Sequence, residues 1–269
     1  MAAQRDDDPA SDAGPATVRL RLVSYNVHGF KRDAAAVAAV LRELDPDVVC
    51  LQEAPSRLAW RGKCAALARR AELLYAGGGG TSAGTALYTA VRVDVHDRQE
   101  HLLRRTPGLR RRGVVMAALG KGPVRFAVAS VQLGVDAGER ARHLTEITGL
   151  FNRVIRAPGS AAAMLAEPES DVGRITRPVG AGPLPAAIIA GDLNEAPSAA
   201  TWSRLASQYT DLGAADAVPT YPVDQPRERR DAVFARGAVE LISYEVVDSP
   251  AVRAASDHRP VVTDLQLSL

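Results

Sequence analysis

The sequence predicts a single α/β (α+β) domain in which packed β-sheets are flanked by helices. Strand candidates outnumber helix candidates, and strands and helices follow one another in mixed order. The Pro107-Gly108 turn separates two of a run of short strands, so the middle of the chain reads as largely antiparallel. A simple doubly wound sheet would instead alternate strand and helix throughout. The chain has 269 residues, 46% hydrophobic and 24% charged, enough apolar material for one sizeable core, which excludes wholesale disorder.

Residues 1–16 carry Asp6, Asp7, Asp8 and Asp12 and no apolar period, which predicts a disordered tail, with one domain over 17–269. Val18, Leu20 and Leu22 alternate with Thr17, Arg19 and Arg21 as in a half-buried strand, which continues to Asn26 before a turn at His28-Gly29. Asp33 can cap a helix whose Val37, Val40, Leu41 and Leu44 share one face, and Asp45-Pro46 stops it. Val48 to Glu53 is apolar at successive positions, as in a strand covered on both faces. A second helix is expected over Leu58–Ala71, with Trp60, Cys64 and Leu67 inward, then a flexible glycine loop at Gly77–Gly80. Strands follow over Thr85–Ala90, Val91–Leu103, Arg112–Leu119 and Arg125–Leu133.

A helix over 137–155 has Ala141, Leu144, Ile147, Leu150, Phe151 and Val154 as its apolar stripe, with Glu139, Arg140 and Arg142 starting the polar face. Residues 157–185, rich in Ala, Gly and Pro, predict a flexible insertion. Ala187 to Ala190 is a buried strand, Ala199–Ser207 a helix, and Ala232–Ala235, Val239–Val247 and Val261–Leu267 are the last strands.

A net charge of +2 supplies no strong field for polyanions, so phosphate recognition must come from local arrangement. Two cysteines, Cys50 and Cys64, cannot build a disulfide framework or a cysteine-rich zinc site. No apolar run approaches the ~20 residues of a membrane span. The N-terminus lacks an apolar signal core, which leads to the expectation of a cytoplasmic protein.

Polar residues stand where strands end: Asn26, Gln52-Glu53, Asp192 with Asn194, and Ser256-Asp-His258 just before Val261. Ligands bind beyond the ends of strands, so these are the candidate site. In extended backbone Asp192 and Asn194, two apart, project to the same side. With Glu53 they offer oxygen donors without a Cys or His pairing beside them, which suits hard Mg²⁺ or Mn²⁺ better than zinc.

The segments Ser24-Tyr-Asn-Val-His-Gly29, Asp45-Pro-Asp-Val-Val-Cys-Leu-Gln-Glu53, Gly191-Asp-Leu-Asn194, Thr220-Tyr-Pro222 leading to Arg230-Asp-Ala-Val-Phe234, and Ala255-Ser-Asp-His-Arg-Pro260 run in this order over nearly the whole chain. Together they resemble the endonuclease/exonuclease/phosphatase superfamily of metal-dependent phosphoesterases. The resemblance implies a four-layered sandwich, two mixed β-sheets packed face to face with helices outside, and an active site at one edge. It implies that Glu53 binds the divalent cation, with Asp257 and Asn26 close to the metal or phosphate. Asp192 would orient and deprotonate water, Asn194 would help hold that water or the phosphate, and His258 would bond the phosphate, held by Asp231. Gln132 stands where many members carry a histidine, and its amide is expected to bind a phosphate oxygen.

Singly, each residue has a plainer reading: Asn26 a turn, Glu53 a loop acid, Asp192-Asn194 an Asx turn, Asp231 a surface ion pair, His258 a loop cap. His96, His101 and His143 read as solvated, and His28 is equally a turn residue. Arg104, Arg105, Arg110, Arg111 and Arg112 flank the Pro107-Gly108 turn as a basic cluster that could touch a phosphate backbone, but with few aromatics nearby for base stacking the preferred reading is a solvated hairpin. The expected function is hydrolysis of a phosphodiester with Mg²⁺ or Mn²⁺, with nucleic acid the preferred substrate. The alternatives are a small phosphoester, phospholipid or inositol phosphate, or a binding protein that lost turnover. No partner protein is inferable.

Overall fold

The computed structural model describes residues 15–156 and 182–269. The tail expected over residues 1–16 and the insertion expected over 157–185 therefore lie, for residues 1–14 and 157–181, outside the described residues.

Two six-stranded sheets form the centre. The first contains β1 (Thr17–Asn26), β2 (Val48–Gln52), β3 (Leu74–Gly78), β4 (Ala86–Thr89), β11 (Val239–Val246) and β12 (Val261–Ser268), in the order β11-β12-β1-β2-β4-β3. The second contains β5 (Asp94–Leu102), β6 (Gly113–Lys121), β7 (Val124–Gln132), β8 (Ala186–Asp192), β9 (Thr210–Asp211) and β10 (Asp231–Gly237), in the order β5-β6-β7-β8-β10-β9. Each sheet is mixed: β1 and β2 pair in parallel, as do β7 and β8, and the other pairings are antiparallel. Helices α1 (Ala34–Leu44), α2 (Trp60–Arg70), α3 (Ala137–Arg156), α4 (Ala200–Ala206) and α5 (Pro250–Ala255) complete the order. None of the described helices is long and apolar enough to cross a membrane.

The period of two in the strands sorts the apolar residues into three layers. Leu20, Leu22, Val48 and Cys50 meet Phe126, Val128, Ile188 and Val233 between the sheets. On the outer face of the first sheet, Val23, Tyr25, Val49 and Leu51 receive Val37 and Leu41 of α1, Leu67 of α2 and Val252 of α5. On the outer face of the second, Val114, Met116 and Ile189 receive Leu144, Ile147 and Phe151 of α3 and Trp202 of α4. Both faces of the central strands are thus covered, which is why they read as continuous apolar runs.

Local chemistry sets the helix limits as expected. Asp33 accepts the N–H of Ala35 at 2.7 Å to start α1, and Asp45, left-handed at φ 42°, ends it before Pro46.

Several expectations are corrected. The glycines at 77–80 are packed rather than a flexible loop: Gly77 and Gly78 end β3, Gly77 to Gly79 are buried and Gly80 is half-buried, and Gly79 and Gly80 lie against the Trp60 ring with no room for a Cβ. Glu139 and Arg140 are buried and do not start the polar face of α3, because Arg140 pairs with Glu195 at 2.7 Å and bonds the carbonyls of Gly134 and Val135. Ala141, expected in the apolar stripe, is exposed. His143 is buried rather than solvated, its Nε2 2.9 Å from the Arg104 carbonyl.

Candidate active site

Alternation and register build the site. The face of β1 that points between the sheets runs Leu20, Leu22, Ser24, Asn26, and that of β2 runs Val48, Cys50, Gln52. In the second sheet the corresponding positions end in Ser130 and Gln132 on β7, and in Asp192 on β8, while β10 begins with Asp231. Register aligns Asn26 with Gln52, Gln132 with Asp192, and Asp192 with Asp231. At one end of the sandwich, the apolar filling between the sheets therefore gives way to two facing rows of polar side chains.

These rows bond to each other. Asn26 Nδ2 donates to Asp192 Oδ2 across the sheets at 3.0 Å, and Gln132 Nε2 and Asn194 Nδ2 reach the same oxygen at 3.2 Å each. The backbone N–H of Asn194 donates to Asp192 Oδ1 at 2.9 Å. Beneath them, Gln52 Nε2 donates to the Cys50 carbonyl, and Ser130 Oγ donates to the Leu51 carbonyl, stitching β7 to β2. Asp192 is 1% exposed, and burial, then the neighbouring Asp231, raises its carboxyl above the ordinary range despite these donors.

Asn194 joins Asp192 by a turn rather than by strand alternation: β8 stops at Asp192, and Asn194 takes a left-handed φ of 51° that swings its amide back. The Asx turn and the site are one feature. Glu53, just past β2, is likewise left-handed at φ 52°, which aims it out of the sheet. Non-glycine residues in that region are strained, and such strain collects at functional sites.

His258 Nδ1 lies 2.8 Å from Asp231 Oδ2, leaving Nε2 as the ring's other polar atom. Burial opposes its charge, but Asp231, Asp192 and Asp257 outweigh burial and lift the imidazole to about 9. Thr220 Oγ1 accepts the N–H groups of Arg230 and Asp231, fixing the start of β10. Tyr221 packs its ring 4.7 Å from the His258 ring, and the Arg230 guanidinium lies 4.0 Å over the Tyr221 ring.

Gln132 bridges two acids, since its Nε2 also donates to Glu53 Oε1 at 3.0 Å. Its amide nitrogen therefore faces two carboxylates rather than an open phosphate position. The second oxygen of Glu53 receives Arg110 Nη1 at 3.3 Å. Burial raises the Glu53 carboxyl, but Arg110, the Gln132 amide and Arg112 together hold it below its ordinary value. Arg112 is buried too, with its pKa lowered first by burial and then by Arg110. The arginines expected as a solvated hairpin thus divide, and two of them turn toward the site. Asp257 lies with Oδ2 3.4 Å from His28 Nδ1, too poorly aligned to bond it, while Ser256 Oγ donates to the Asn26 carbonyl beside it.

Among the described residues, Asp192, Asp231 and His258 form a group whose ligand atoms lie within 4.8 Å of one another. Glu53 and Asp257 are outside that group. The donors nevertheless suit a hard divalent cation: Glu53 keeps spare lone pairs, and Asp231 Oδ1 is fully buried with no partner.

Sequence reading placed Gln52 at this end of the fold but missed Thr220, Tyr221, Arg110, Arg112 and Ser130 as parts of it. Thr220 and Tyr221 lay within a recognised segment, and only their contacts reveal their work. The arginines gave a charge signal but no direction.

Residues 23–258 match the model of the Endonuclease/Exonuclease/phosphatase family. Among solved structures, the chain is similar to an endonuclease/exonuclease/phosphatase from Bacteroides vulgatus, at 15% identity and a TM-score of 0.69, over 93% of this chain and 100% of that one. It is similar to a Bacteroides thetaiotaomicron mannosyl-6-phosphatase at 14% identity and 0.69, over 91% and 99%. It is also similar to D. rerio TDP2 complexed with single strand DNA product, at 16% identity and 0.64, over 92% and 98%. No curated protein sequence matches the chain.

Proposed function

Because this chain belongs to the endonuclease/exonuclease/phosphatase family, we propose that it is a divalent-metal-dependent phosphoesterase that hydrolyses a phosphodiester, with nucleic acid the preferred substrate class. One observation carries the reading: Asp192, ringed by four N–H donors, sits beside the Asp231–His258 pair at the open end of the sandwich, with Glu53 one amide away.

Hydrolysis of a phosphoester needs an in-line water, charge neutralisation on the nonbridging oxygens, and a leaving group that departs opposite the water. Asp192 accepts a proton from the attacking water. Its raised pKa brings it nearer the working pH of a general base, and Asn26, Gln132 and Asn194 hold its orientation. His258, charged at neutral pH, donates from Nε2 to a phosphate oxygen while Asp231 fixes the ring through Nδ1. Glu53, with Asp257 and Asn26 near the same strand ends, would hold Mg²⁺ or Mn²⁺, which supplies neutralisation of charge on the phosphate. Water gives its oxygen to phosphorus and one proton to Asp192, the ester P–O bond breaks, and the leaving oxygen takes a proton from solvent and departs as the alcohol, after which Asp192 returns its proton to solvent.

The neighbours support the class of chemistry and leave the substrate open, since one is a sugar phosphatase and another was solved with a DNA product. The test is a hydrolysis screen with Mg²⁺ and Mn²⁺ over single-stranded and duplex DNA, RNA, phosphoinositides and bis(4-nitrophenyl) phosphate. We expect turnover on at least one diester, abolished by chelation with the far-ultraviolet circular dichroism unchanged. Asp192→Asn should cost at least about 10² in kcat. Silence on every ester with both metals would overturn the reading in favour of a binding protein with this fold.

A further inference from the structure

A cleft of about 470 Å³ opens beside Glu53, and Lys31, Arg57, Lys63 and Arg110 line it. A second, of about 360 Å³, shares Ser56, Arg57 and Arg110 with the first and continues to Arg111. Glu53 is the single acid on either wall, and it lies at the site end. The two form one basic channel leading away from the carboxylate cluster, on a protein whose net charge is only +2.

These cations are not used up by the fold. Arg110 bonds Glu53, and Lys31 Nζ lies 3.2 Å from His28 Nε2. Arg57, Lys63 and Arg111 are exposed and make no side-chain hydrogen bond or ion pair among the described residues. Two sources supply the walls: the segment joining β2 to α2 brings Ser56 and Arg57, and the β5–β6 connection brings Arg110 and Arg111. Like charges brought together from distant parts of the chain repel unless an anion sits between them.

We propose that this channel binds a second phosphate of the substrate, one that flanks the phosphoester being cleaved, so the protein favours substrates with two or more phosphates over those with one. The inference rests on the phosphoesterase reading for the position of the cleaved ester. A single-phosphate diester reaches Glu53 and Asp192 but leaves Arg57, Lys63 and Arg111 in water. A polyphosphorylated substrate places charge among them and releases counterions on binding.

Binding is measured apart from turnover, in EDTA, by fluorescence anisotropy of a labelled single-stranded oligothymidylate, with inorganic pyrophosphate as competitor. The double variant Arg57→Ala/Lys63→Ala should weaken oligonucleotide binding about tenfold or more and reduce its salt slope by about one to two. Arg57→Lys/Lys63→Arg, which keeps the charge, should bind like wild type. In turnover, the double alanine variant should lower the ratio of kcat/KM for a 5′-phosphorylated thymidine dinucleotide to that for bis(4-nitrophenyl) phosphate. Weakened pyrophosphate competition together with weakened oligonucleotide binding supports a site for phosphate itself. Loss of oligonucleotide binding alone supports the channel and assigns it to a nucleic-acid backbone. Unchanged binding of both probes in the double alanine variant overturns the inference even if hydrolysis is observed. A binding difference in a protein that cleaves no ester instead overturns the phosphoesterase reading and leaves the anion channel standing.

Discussion

Gln132 holds its amide nitrogen between Glu53 and Asp192, so removing that side chain strips a donor from two carboxylates at once. Gln132→Ala should lower kcat and weaken Mg²⁺ activation together, each by about 10–100-fold, as loss of a group that orients metal ligands does. Activity titrated against Mg²⁺ would check this, and a fall in kcat with an unmoved metal midpoint would separate Gln132 from Glu53. His258 carries a second prediction. Its imidazole is lifted to about 9, so the charged form persists through neutral pH and activity should fall on a basic limb near that value. Asp231→Asn removes the facing charge and should move the limb to lower pH, which a pH profile of kcat/KM reads directly. The same sign governs stability: a raised pKa stabilises the fold fully below the unfolded value of about 6.5, and that contribution fades as pH climbs through about 9.

The β7–β8 pair is the element on which the site depends most, because its parallel register sets Gln132 beside Asp192. Gly191 makes that closeness possible. A Cβ there would collide with the backbone carbonyl of Val131 on β7. Gly191→Ala should therefore separate the strands at their site end, costing about 1–3 kcal/mol in urea unfolding. It should also reduce kcat, since Asp192 follows directly. Full activity with unchanged stability would show that the strands accommodate the methyl group and that the register does not depend on this contact. On the other sheet, β2 ends as Glu53 turns left-handed, and that bend carries the carboxylate to Gln132.

Across the molecule, the two ends of the sandwich do different work. At the end away from the site, Asp47 is buried just before β2, and Lys121, the last residue of β6 in the other sheet, reaches it at 2.7 Å. Arg92 and the Arg21 N–H bond the same carboxylate. Burial raises the Asp47 carboxyl, but Lys121, Arg21 and Arg92 outweigh burial and hold it below its ordinary value. A depressed carboxyl stabilises above the unfolded pKa of about 3.9, and that stability is lost as pH falls through the lower folded value. Asp47→Asn should cost on the order of 1.5–3 kcal/mol at pH 7. It should also flatten the acid limb of Tm between neutral pH and pH 3, measured by thermal melts, and an equally steep limb would place acid sensitivity elsewhere.

The sequence by itself determined the elements and the residues at their ends. Alternation marked β1, successive apolar residues marked β2 and β8, and the end of each run pointed to Asn26, Glu53 and Asp192, because local backbone periodicity decides which side chains a strand buries. Asp33 and Asp45-Pro46 bounded α1 for an equally local reason. Only the tertiary structure decided what those ends face. Gln132 reads as a phosphate donor until the β7–β8 register turns its amide onto two acids. Arg110, solvated by any local reading, meets Glu53 across 57 positions of chain. The glycines at 77–80 looked like a free loop, yet Arg98, Glu100 and the backbone of Thr85 and Ala86 crowd Gly77 and Gly78, and the Trp60 ring covers Gly79 and Gly80. His143 and Arg140 sat among charges in sequence, yet the Arg104 carbonyl and Glu195 bury them. In each case the partner lies far along the chain, and its approach is set by sheet register and layer packing, which no local pattern encodes.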